Sequence, residues 1–273
     1  MPVPAVTPTT ESIEGCAQIE LRDVSHAFAV EGGTLPVLDE LSLRVKKNEL
    51  TSVVGPSGCG KSTLTRLISG LIKPDSGEIF LAGDKVVSPR PTVGMAFQNP
   101  VMLEWRNVLM NVILPLEIVA PDMPRNKREE RALELLSMVS LEGFEDKRPS
   151  ELSGGMRQRV SLCRALVHDP DVLILDEPFG ALDAFTREEL WGVMYNLRRI
   201  RPFTCLLITH DLRESVFLSD HIVVLSQRPA KVQYTTNVDL GEDRQVRDLY
   251  APKVTGLLTE LRQHIEIAQD KNR

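Results

Sequence analysis

The chain has 273 residues, and because domains usually contain about 100–200 residues, one large domain or two small ones are expected. Hydrophobic residues make up 42% of the chain and charged residues 26%, which excludes global disorder and a fibrous fold. Acidic residues outnumber basic residues by 38 to 32, so the net charge is −6, and no nucleic acid partner held by a broad basic surface is expected.

Cysteine spacing and hydropathy predict a cytoplasmic protein without a membrane span. Residues 1–16 are rich in Pro and Thr and lack the basic start and apolar run of a signal peptide, so they are predicted to form a flexible tail. The most apolar stretch, residues 108–120, is shorter than the roughly 20 residues needed to cross a bilayer. The four cysteines are Cys16, Cys59, Cys163 and Cys205, and no two of them form a CxxC pair. This spacing argues against a zinc site or a disulfide scaffold.

Short apolar runs bounded by turn residues predict buried strands, and apolar residues at helical spacing predict helices. In chain order, strands are expected over residues 19–24, 38–45, 50–54, 78–81, 172–175, 205–209 and 222–225. Helices are expected over residues 62–71, 125–139, 188–201 and 254–267. The alternation of strands with helices predicts an α/β fold whose parallel sheet is covered on both faces.

The predicted domain organisation is one α/β domain with a helical insert. Residues 17–230 are expected to form this domain, with a helical subdomain inserted at about residues 100–160, where the strand pattern is interrupted. Residues 231–273 are expected to form a C-terminal extension that ends in a helix. The extension is expected either to pack on the core or to modulate subunit association, and packing is the favoured interpretation.

A phosphate-binding loop is predicted at residues 55–62, GPSGCGKS, which fill every fixed position of the pattern and follow a buried strand. Glycines allow backbone N–H groups to converge on phosphate oxygens, and the helix that follows adds partial positive charge. Lys61 is predicted to reach the β- and γ-phosphates of ATP, and Ser62 to bind Mg²⁺. The predicted nucleotide-binding residues of this segment are Gly55, Pro56, Ser57, Gly58, Cys59, Gly60, Lys61, Ser62 and Thr63.

Two acidic residues end the apolar strand of residues 172–177, VLILDE. Asp176 is predicted to bind Mg²⁺, and Glu177 is placed to polarise the water that attacks the γ-phosphate. Solvated acids at the end of a strand are the alternative interpretation, and the phosphate loop upstream disfavours it.

A further motif distinguishes among kinases, GTPases, helicases and transport ATPases. Residues 152–159, LSGGMRQR, resemble the LSGGQ signature of ABC ATPases, with Met156 where Gln is commoner. Ser153, Gly154 and Gly155, at a helix start, are expected to form a second anion-binding site. In the family, ATP is held between the phosphate loop of one subunit and the signature of the other, so the resemblance implies that two subunits share each ATP.

The other family motifs occur in the expected order. By this resemblance, Gln98 is the Q-loop glutamine near Mg²⁺ and the attacking water, and Asp183 belongs to the D-loop at the dimer interface. His210 matches the switch histidine that contacts the γ-phosphate, and Phe28 falls where an aromatic ring stacks on adenine, although a lone Phe beside a strand is more often core. The implied fold is a P-loop NTPase (RecA-like) core with an inserted helical subdomain and a small antiparallel β portion.

Several segments resemble the ATP-binding subunits of nitrate, sulfonate, taurine and bicarbonate importers. They are residues 97–118, 177–187, 215–220 and 226–229. Glu104 and His221 depart from the usual residues of this branch, which leaves the solute open. The resemblance implies ATP-driven import of a small anion or organic solute at the cytoplasmic face of the cell membrane. The implied partners are a second ATPase subunit, transmembrane permease subunits and, indirectly, a solute-binding protein.

Three alternatives remain. A non-transport ABC ATPase of DNA repair or translation usually carries two ATPase domains or long coiled-coil insertions, and neither is seen here. An export or lipid-trafficking ATPase is disfavoured by the importer-like segments. A regulatory ATP-binding module is disfavoured because the residues for hydrolysis are intact. The apolar stretch 103–119 is expected to divide into core around residues 112–116 and a groove near Trp105 that receives a membrane partner.

Overall fold

The computed structural model describes residues 17–241 and 243–270. The predicted flexible tail, residues 1–16, lies outside the described residues. The described chain folds into two sheets and seven α-helices. The small antiparallel β portion is a four-stranded sheet in the order β2-β1-β4-β5. Its strands are β1 (Ala17–Val30), β2 (Gly33–Lys46), β4 (Ser76–Leu81) and β5 (Asp84–Lys85).

The second sheet has six strands in the order β10-β9-β3-β8-β7-β6. The pairs from β6 to β9 are parallel, and only β10 runs antiparallel, beside β9. Its strands are β3 (Leu50–Val54), β6 (Val93–Phe97), β7 (Val172–Asp176), β8 (Thr204–Ile208), β9 (His221–Leu225) and β10 (Val232–Asn237). The sequence analysis predicted β3, β7, β8 and β9 but did not predict β6 and β10.

Helices α2, α3 and α4 lie between β6 and β7 and form the helical insert. The predicted helix over residues 62–71 is shorter in the structure, because Gly70 has φ +75° and a β-carbon there would lie 2.5 Å from the carbonyl of Ser88. The helix predicted to start at residue 188 begins at Ala184, after the N-cap Asp183. The helices are α1 (Lys61–Ile68), α2 (Val108–Val119), α3 (Arg125–Met138), α4 (Gly154–Leu166), α5 (Ala184–Ile200), α6 (Leu212–Leu218) and α7 (Pro252–Asp270).

The six-stranded sheet is buried on both faces, which explains why its central strands are almost wholly apolar. Alternate residues of β7 serve two clusters: Leu173 and Leu175 pack with α2 to α7, whereas Ile174 packs with α1 and the four-stranded sheet. Helix α7 adds Val254 and Leu261 to the first cluster, so the C-terminal extension packs on the core.

The apolar stretch of the insert divides as the sequence analysis expected. Val112, Ile113 and Leu116 of α2 are buried, whereas Trp105 in the preceding loop is 72% exposed. Within the part of the chain that the structure describes, no helix combines the length and the apolar character needed to cross a membrane.

Candidate active site

The phosphate loop connects β3 to α1 and depends on glycine conformations. Gly58 and Gly60 have φ values of +72° and +119°, which non-glycine residues rarely adopt. A β-carbon at Gly60 would also lie 2.7 Å from Cγ1 of Val37. Gly60 is the N-cap of α1, which has no side-chain cap and no acidic residue in its first turn. The first N–H groups of α1 are therefore available to an anion such as a phosphate.

Lys61 is the first residue of α1 and is buried within the loop. Its Nζ donates hydrogen bonds to the carbonyl oxygens of Gly55 and Pro56, both at 2.9 Å. These bonds hold the positive charge at the mouth of the loop, where the sequence analysis expected it to meet phosphate oxygens. The thiol of the neighbouring Cys59 is buried, and this burial raises its pKa, which favours the protonated form.

Asp176, the last residue of β7, faces the start of α1. Ser62 Oγ lies 3.4 Å from Asp176 Oδ1, and Thr65 Oγ1 lies 3.4 Å from Oδ2. Burial raises the pKa of Asp176, and its hydrogen bond with Ser62 opposes that rise. A hydroxyl beside a carboxylate is a pair of hard oxygen donors, which fits Mg²⁺, since this ion is usually bound through few protein oxygens together with substrate phosphates. Among the described residues, no group of three or more His, Cys, Asp or Glu side chains is arranged to hold a metal by itself.

Glu177 and His210 are brought together at the ends of β7 and β8. Glu177 has φ +49°, an uncommon conformation for a residue other than glycine, and its N–H donates to the carbonyl oxygen of Ile208 at 2.8 Å. Glu177 Oε2 lies 3.2 Å from His210 Nδ1. A carboxylate oriented by an imidazole beside a phosphate-binding loop has the geometry of a general base for an attacking water.

Gln98 lies at the same edge of the sheet, because it follows β6, whose last residue pairs with Asp176. Its Nε2 is 3.0 Å from the position that a β-carbon at Gly180 would occupy, so its side chain packs against the turn that follows Glu177. Because β6, β7 and β8 are parallel, Gln98, Asp176, Glu177 and His210 all emerge at their carboxyl ends, where ligands bind in sheets of this kind.

The phosphate loop opens into a cavity of about 290 Å³ that the four-stranded sheet helps to form. Phe28 lines this cavity, with its ring in an edge-to-face contact with His26 at 4.9 Å between centroids. Phe28 is paired with Leu35 across the β1–β2 hairpin, which turns at Glu31 and Gly32. The described residues that line it are Phe28, Leu35, Val37, Ser57, Gly58, Gly60, Lys61, Ser62, Thr63, Glu177 and Arg228.

Sequence reasoning missed three lining residues, Leu35, Val37 and Arg228. The dipeptide Gly32-Gly33 was the available sequence signal for Leu35 and Val37, because it predicts a hairpin that places these residues opposite Phe28 and its neighbours. Arg228 had no local signal, since only the tertiary fold brings it to the phosphate loop.

Ser153, Gly154, Gly155 and Asp183 do not line this cavity and form a second surface at two helix starts. Ser153 is the N-cap of α4, and its Oγ accepts a hydrogen bond from the N–H of Met156 at 3.2 Å. Asp183 is the N-cap of α5 and accepts hydrogen bonds from the Thr186 hydroxyl at 2.7 Å and from its N–H at 3.1 Å. These bonds lower the pKa of Asp183. We call this signature and D-loop surface, residues 153–155 and 181–186, the signature face.

A buried carboxyl four residues after His210 was also missed. Glu214 lies in the first turn of α6 and is almost completely buried. Burial raises the pKa of Glu214 well above its ordinary value, and the charges of Asp211 and Glu177 act in the same direction. Sequence reasoning had no signal for it, because a Glu in the first turn of a helix is ordinarily solvated.

Comparisons with known proteins agree with this geometry. Residues 38–180 match the family model described as ABC transporter. The chain is 42% identical over 226 residues to a taurine import ATP-binding protein of Pseudomonas fluorescens, covering 83% of this chain and 84% of that protein. It is 39% identical over 214 residues to an aliphatic sulfonates import ATP-binding protein of Bacillus cereus, covering 78% of this chain and 83% of that protein.

A solved structure of a dimeric ATP-binding cassette, MJ0796, in a post-hydrolysis state bound to ADP and Pi, superimposes with a TM-score of 0.72. That chain is 29% identical in sequence, and the match covers 81% of this chain and 99% of that one. The fold is therefore that of an ABC ATPase, as the signature motif predicted.

Proposed function

Since the chain belongs to the ABC transporter family and is an ATP-hydrolysing subunit, we propose that it energises uptake of a small anion or organic solute through a separate transmembrane permease. The solute class that we propose is sulfonate-like or taurine-like, because the importers named above transport solutes of that class and share about 40% of the sequence. The hydrolytic part rests on one observation, the Glu177–His210 pair at 3.2 Å beside the phosphate loop.

The described residues divide the work of hydrolysis among three groups. Backbone N–H groups at the start of α1, together with Lys61, bind the phosphates. Ser62 and Asp176 would hold Mg²⁺, which neutralises phosphate charge when it is bound. Glu177 accepts the proton of the attacking water, while His210 orients the Glu177 carboxylate. Gln98, packed against Gly180, contacts the same water and links the helical insert to it.

We further propose that two copies of the chain pair to form two complete ATP sites. The signature face carries an anion-binding helix start that does not line the cavity of its own phosphate loop. A phosphate reaches that helix start only from another subunit, so each ATP would be bound between two chains. The dimeric state of the ADP-bound cassette MJ0796 supports this arrangement.

The proposed permease-binding region is the loop that carries Trp105, on the cytoplasmic face of the cell membrane. Trp105 is 72% exposed and follows the Q-loop, and an exposed aromatic residue of this kind is typical of a protein interface. A permease bound here would act on Gln98 through the same segment of chain. A solute-binding protein would take part only indirectly, through the permease.

The test is affinity purification of the tagged chain from membranes, with three proteins compared: the wild type, Trp105→Glu and Ile200→Glu. Ile200 is 67% exposed, at the end of α5, and serves as the matched control. We expect the wild type and Ile200→Glu to retain a polytopic membrane protein and Trp105→Glu to lose it. Recovery of no membrane-spanning partner by the wild type would refute the transport role. In proteoliposomes, stimulation of ATP turnover by taurine or an alkanesulfonate then tests the solute class.

A further inference from the structure

The turn between β9 and β10, residues 226–231, is held against the phosphate loop. It begins after Leu225, whose carbonyl oxygen lies 3.0 Å from the position that a β-carbon at Gly55 would occupy. The turn is closed on itself, because the N–H of Ser226 donates to the carbonyl oxygen of Lys231 at 3.0 Å. One end of the turn is therefore fixed at the first residue of the phosphate loop.

The same turn is also bonded to the strand that lines the nucleotide cavity. The N–H of Ala230 donates to the carbonyl oxygen of Val37 at 2.8 Å, and Lys231 forms an ion pair with Asp39 at 2.9 Å. On its outer side, Gln227 Nε2 donates to the carbonyl oxygen of Gln269 in α7 at 3.1 Å. Two elements of the fold, β2 and α7, thus hold a turn of which half the residues are exposed.

Arg228 lies in this turn and lines the nucleotide cavity. Its guanidinium Nη2 is 3.9 Å from the position that a β-carbon at Gly58, in the middle of the phosphate loop, would occupy. Among the described residues, the other charged side chains that line the cavity are those of Lys61 and Glu177. Over residues 17–241 and 243–270, Arg228 forms no hydrogen bond or ion pair with another side chain or with the backbone.

An exposed arginine is ordinarily solvated and carries no function. Arg228 differs in that it is directed at a phosphate-binding loop by a turn that β2 and α7 hold, and among the described residues no carboxylate pairs with it. A guanidinium binds phosphate oxygens through two parallel N–H donors, and such charge-assisted bonds are stronger than neutral ones. Lys61 lies within the loop, bonded to its carbonyl oxygens, whereas Arg228 approaches the loop at Gly58 from a different element.

We propose that Arg228 is a further nucleotide-binding residue, whose guanidinium contacts phosphate oxygens of the ATP bound by the phosphate loop. This inference rests on the proposed function of the site as an ATP site. It assigns to the β9–β10 turn a direct role in binding, and it makes α7 a support for that turn through Gln227.

The test compares Arg228→Gln and Arg228→Lys with Arg247→Gln, an equal charge change at an exposed arginine outside the cavity. Dissociation constants for ATP, ADP and adenosine are measured by calorimetry, and KM and kcat are measured for ATP hydrolysis. Thermal unfolding confirms that each variant is folded. We expect Arg228→Gln to raise the dissociation constants for ATP and ADP about three- to tenfold, as for an exposed charge-assisted bond. We expect Arg228→Lys to have a smaller effect, and adenosine binding and kcat to change little.

Two outcomes would overturn the proposal. If Arg228→Gln binds ATP as tightly as Arg247→Gln does, the guanidinium does not contact the nucleotide. If adenosine binding weakens as much as ATP binding, Arg228 contacts the base or ribose and the phosphate assignment is wrong. Absence of ATP binding by the wild type would instead refute the proposed function, so the two failures are distinguishable.

Discussion

Substitution of Gly155 by alanine tests the packing of the signature face, because the added β-carbon would clash with the methyl group of Thr186. Gly155 is the second residue of α4, where the start of that helix meets the start of α5. A β-carbon at Gly155 would lie 2.5 Å from Cγ2 of Thr186, whereas carbon atoms in contact are about 3.5–4.0 Å apart. The next nearest atom, Cβ of Thr186, is 3.9 Å away, which is an ordinary contact.

The expected energies follow from this geometry. Overpacking by one methyl group costs about 1–3 kcal/mol, and alanine is favoured over glycine within a helix by about 0.5–1 kcal/mol, so Gly155→Ala should destabilise by up to about 2.5 kcal/mol. Thr186→Ser removes Cγ2 and keeps the hydroxyl that donates to Asp183 at 2.7 Å. Because a buried methylene is worth about 0.8 kcal/mol and Thr186 is half-buried, this change alone should cost less than that.

The assay is a double-mutant cycle, with the free energy of unfolding measured by urea denaturation. In the Thr186→Ser background, Gly155→Ala should be neutral or stabilising. Gly192→Ala, in α5 with no atom within 4 Å of the added β-carbon, is the matched control and should stabilise by about 0.5–1 kcal/mol. Equal destabilisation by Gly155→Ala in the wild type and in Thr186→Ser would show that the Thr186 methyl group does not clash with the added β-carbon.

Three further predictions follow from the site. Glu177→Gln should lower phosphate release about 10²–10⁴-fold and preserve ATP binding measured by calorimetry, since a general base is worth that factor; unchanged turnover would place the base elsewhere. Burial raises the pKa of Glu214 above its ordinary value of 4.5, so the wild type should lose stability relative to Glu214→Gln as the pH rises above about 4.5. The loss, measured by urea denaturation, should be at most about 1.4 kcal/mol per pH unit. A stability difference that does not change with pH would show that Glu214 is not buried in its protonated form. Phe185 is 87% exposed on the signature face and should contact the second copy. Phe185→Asp should therefore weaken ATP-dependent association in sedimentation velocity, whereas the control Ile200→Asp, at the other end of α5, should not. Equal effects of the two substitutions would exclude this face as the interface.

The central strands were predictable because their environment is uniform along their length. Strands β3, β7, β8 and β9 are buried on both faces, so each is a short apolar run in the sequence. The length of β1 was underestimated, because register shifts around Val24 and the left-handed conformation of Asp23 interrupt its alternation. The alternation of apolar and polar residues therefore predicts where a strand lies, but it does not predict the length of a strand that contains bulges.

The two strands of the six-stranded sheet that were not predicted, β6 and β10, were missed for different physical reasons. In β6, Gly94 weakens the strand pattern, yet it is required because a β-carbon there would lie 2.1 Å from the carbonyl oxygen of Ala165. That contact joins residues far apart in the sequence and has no local signal. Strand β10 pairs only with β9, and its polar, partly exposed residues resemble those of a loop.

The same division applies to the candidate site. Lys61, Ser62 and Asp176 lie in motifs whose neighbours in sequence are also neighbours in space, so pattern alone identified them. Arg228 lies far from these motifs in the sequence and lines the same cavity because β2 and α7 hold its turn there. Residues that complete a site through tertiary packing are recognised only from the structure.

Helices α4 and α5, which begin at the signature face, are each bonded to a residue that is next in sequence to Gln98 or His210. Buried Gln158 of α4 donates from Nε2 to the carbonyl oxygen of Phe97 at 3.2 Å, one residue before Gln98.

On the other side, Arg187 of α5 donates to the carbonyl oxygen of Leu182 and to Asp211, both at 2.9 Å, and Asp211 directly follows His210. A second subunit that presses on the signature face would therefore act on the residues next to Gln98 and His210. Because Glu177 Oε2 lies 3.2 Å from His210 Nδ1 and Gln98 packs against Gly180 in the turn after Glu177, closure of the proposed dimer would reach the proposed general base over a short path. A helical insert joined to the sheet only by flexible loops would lack that path.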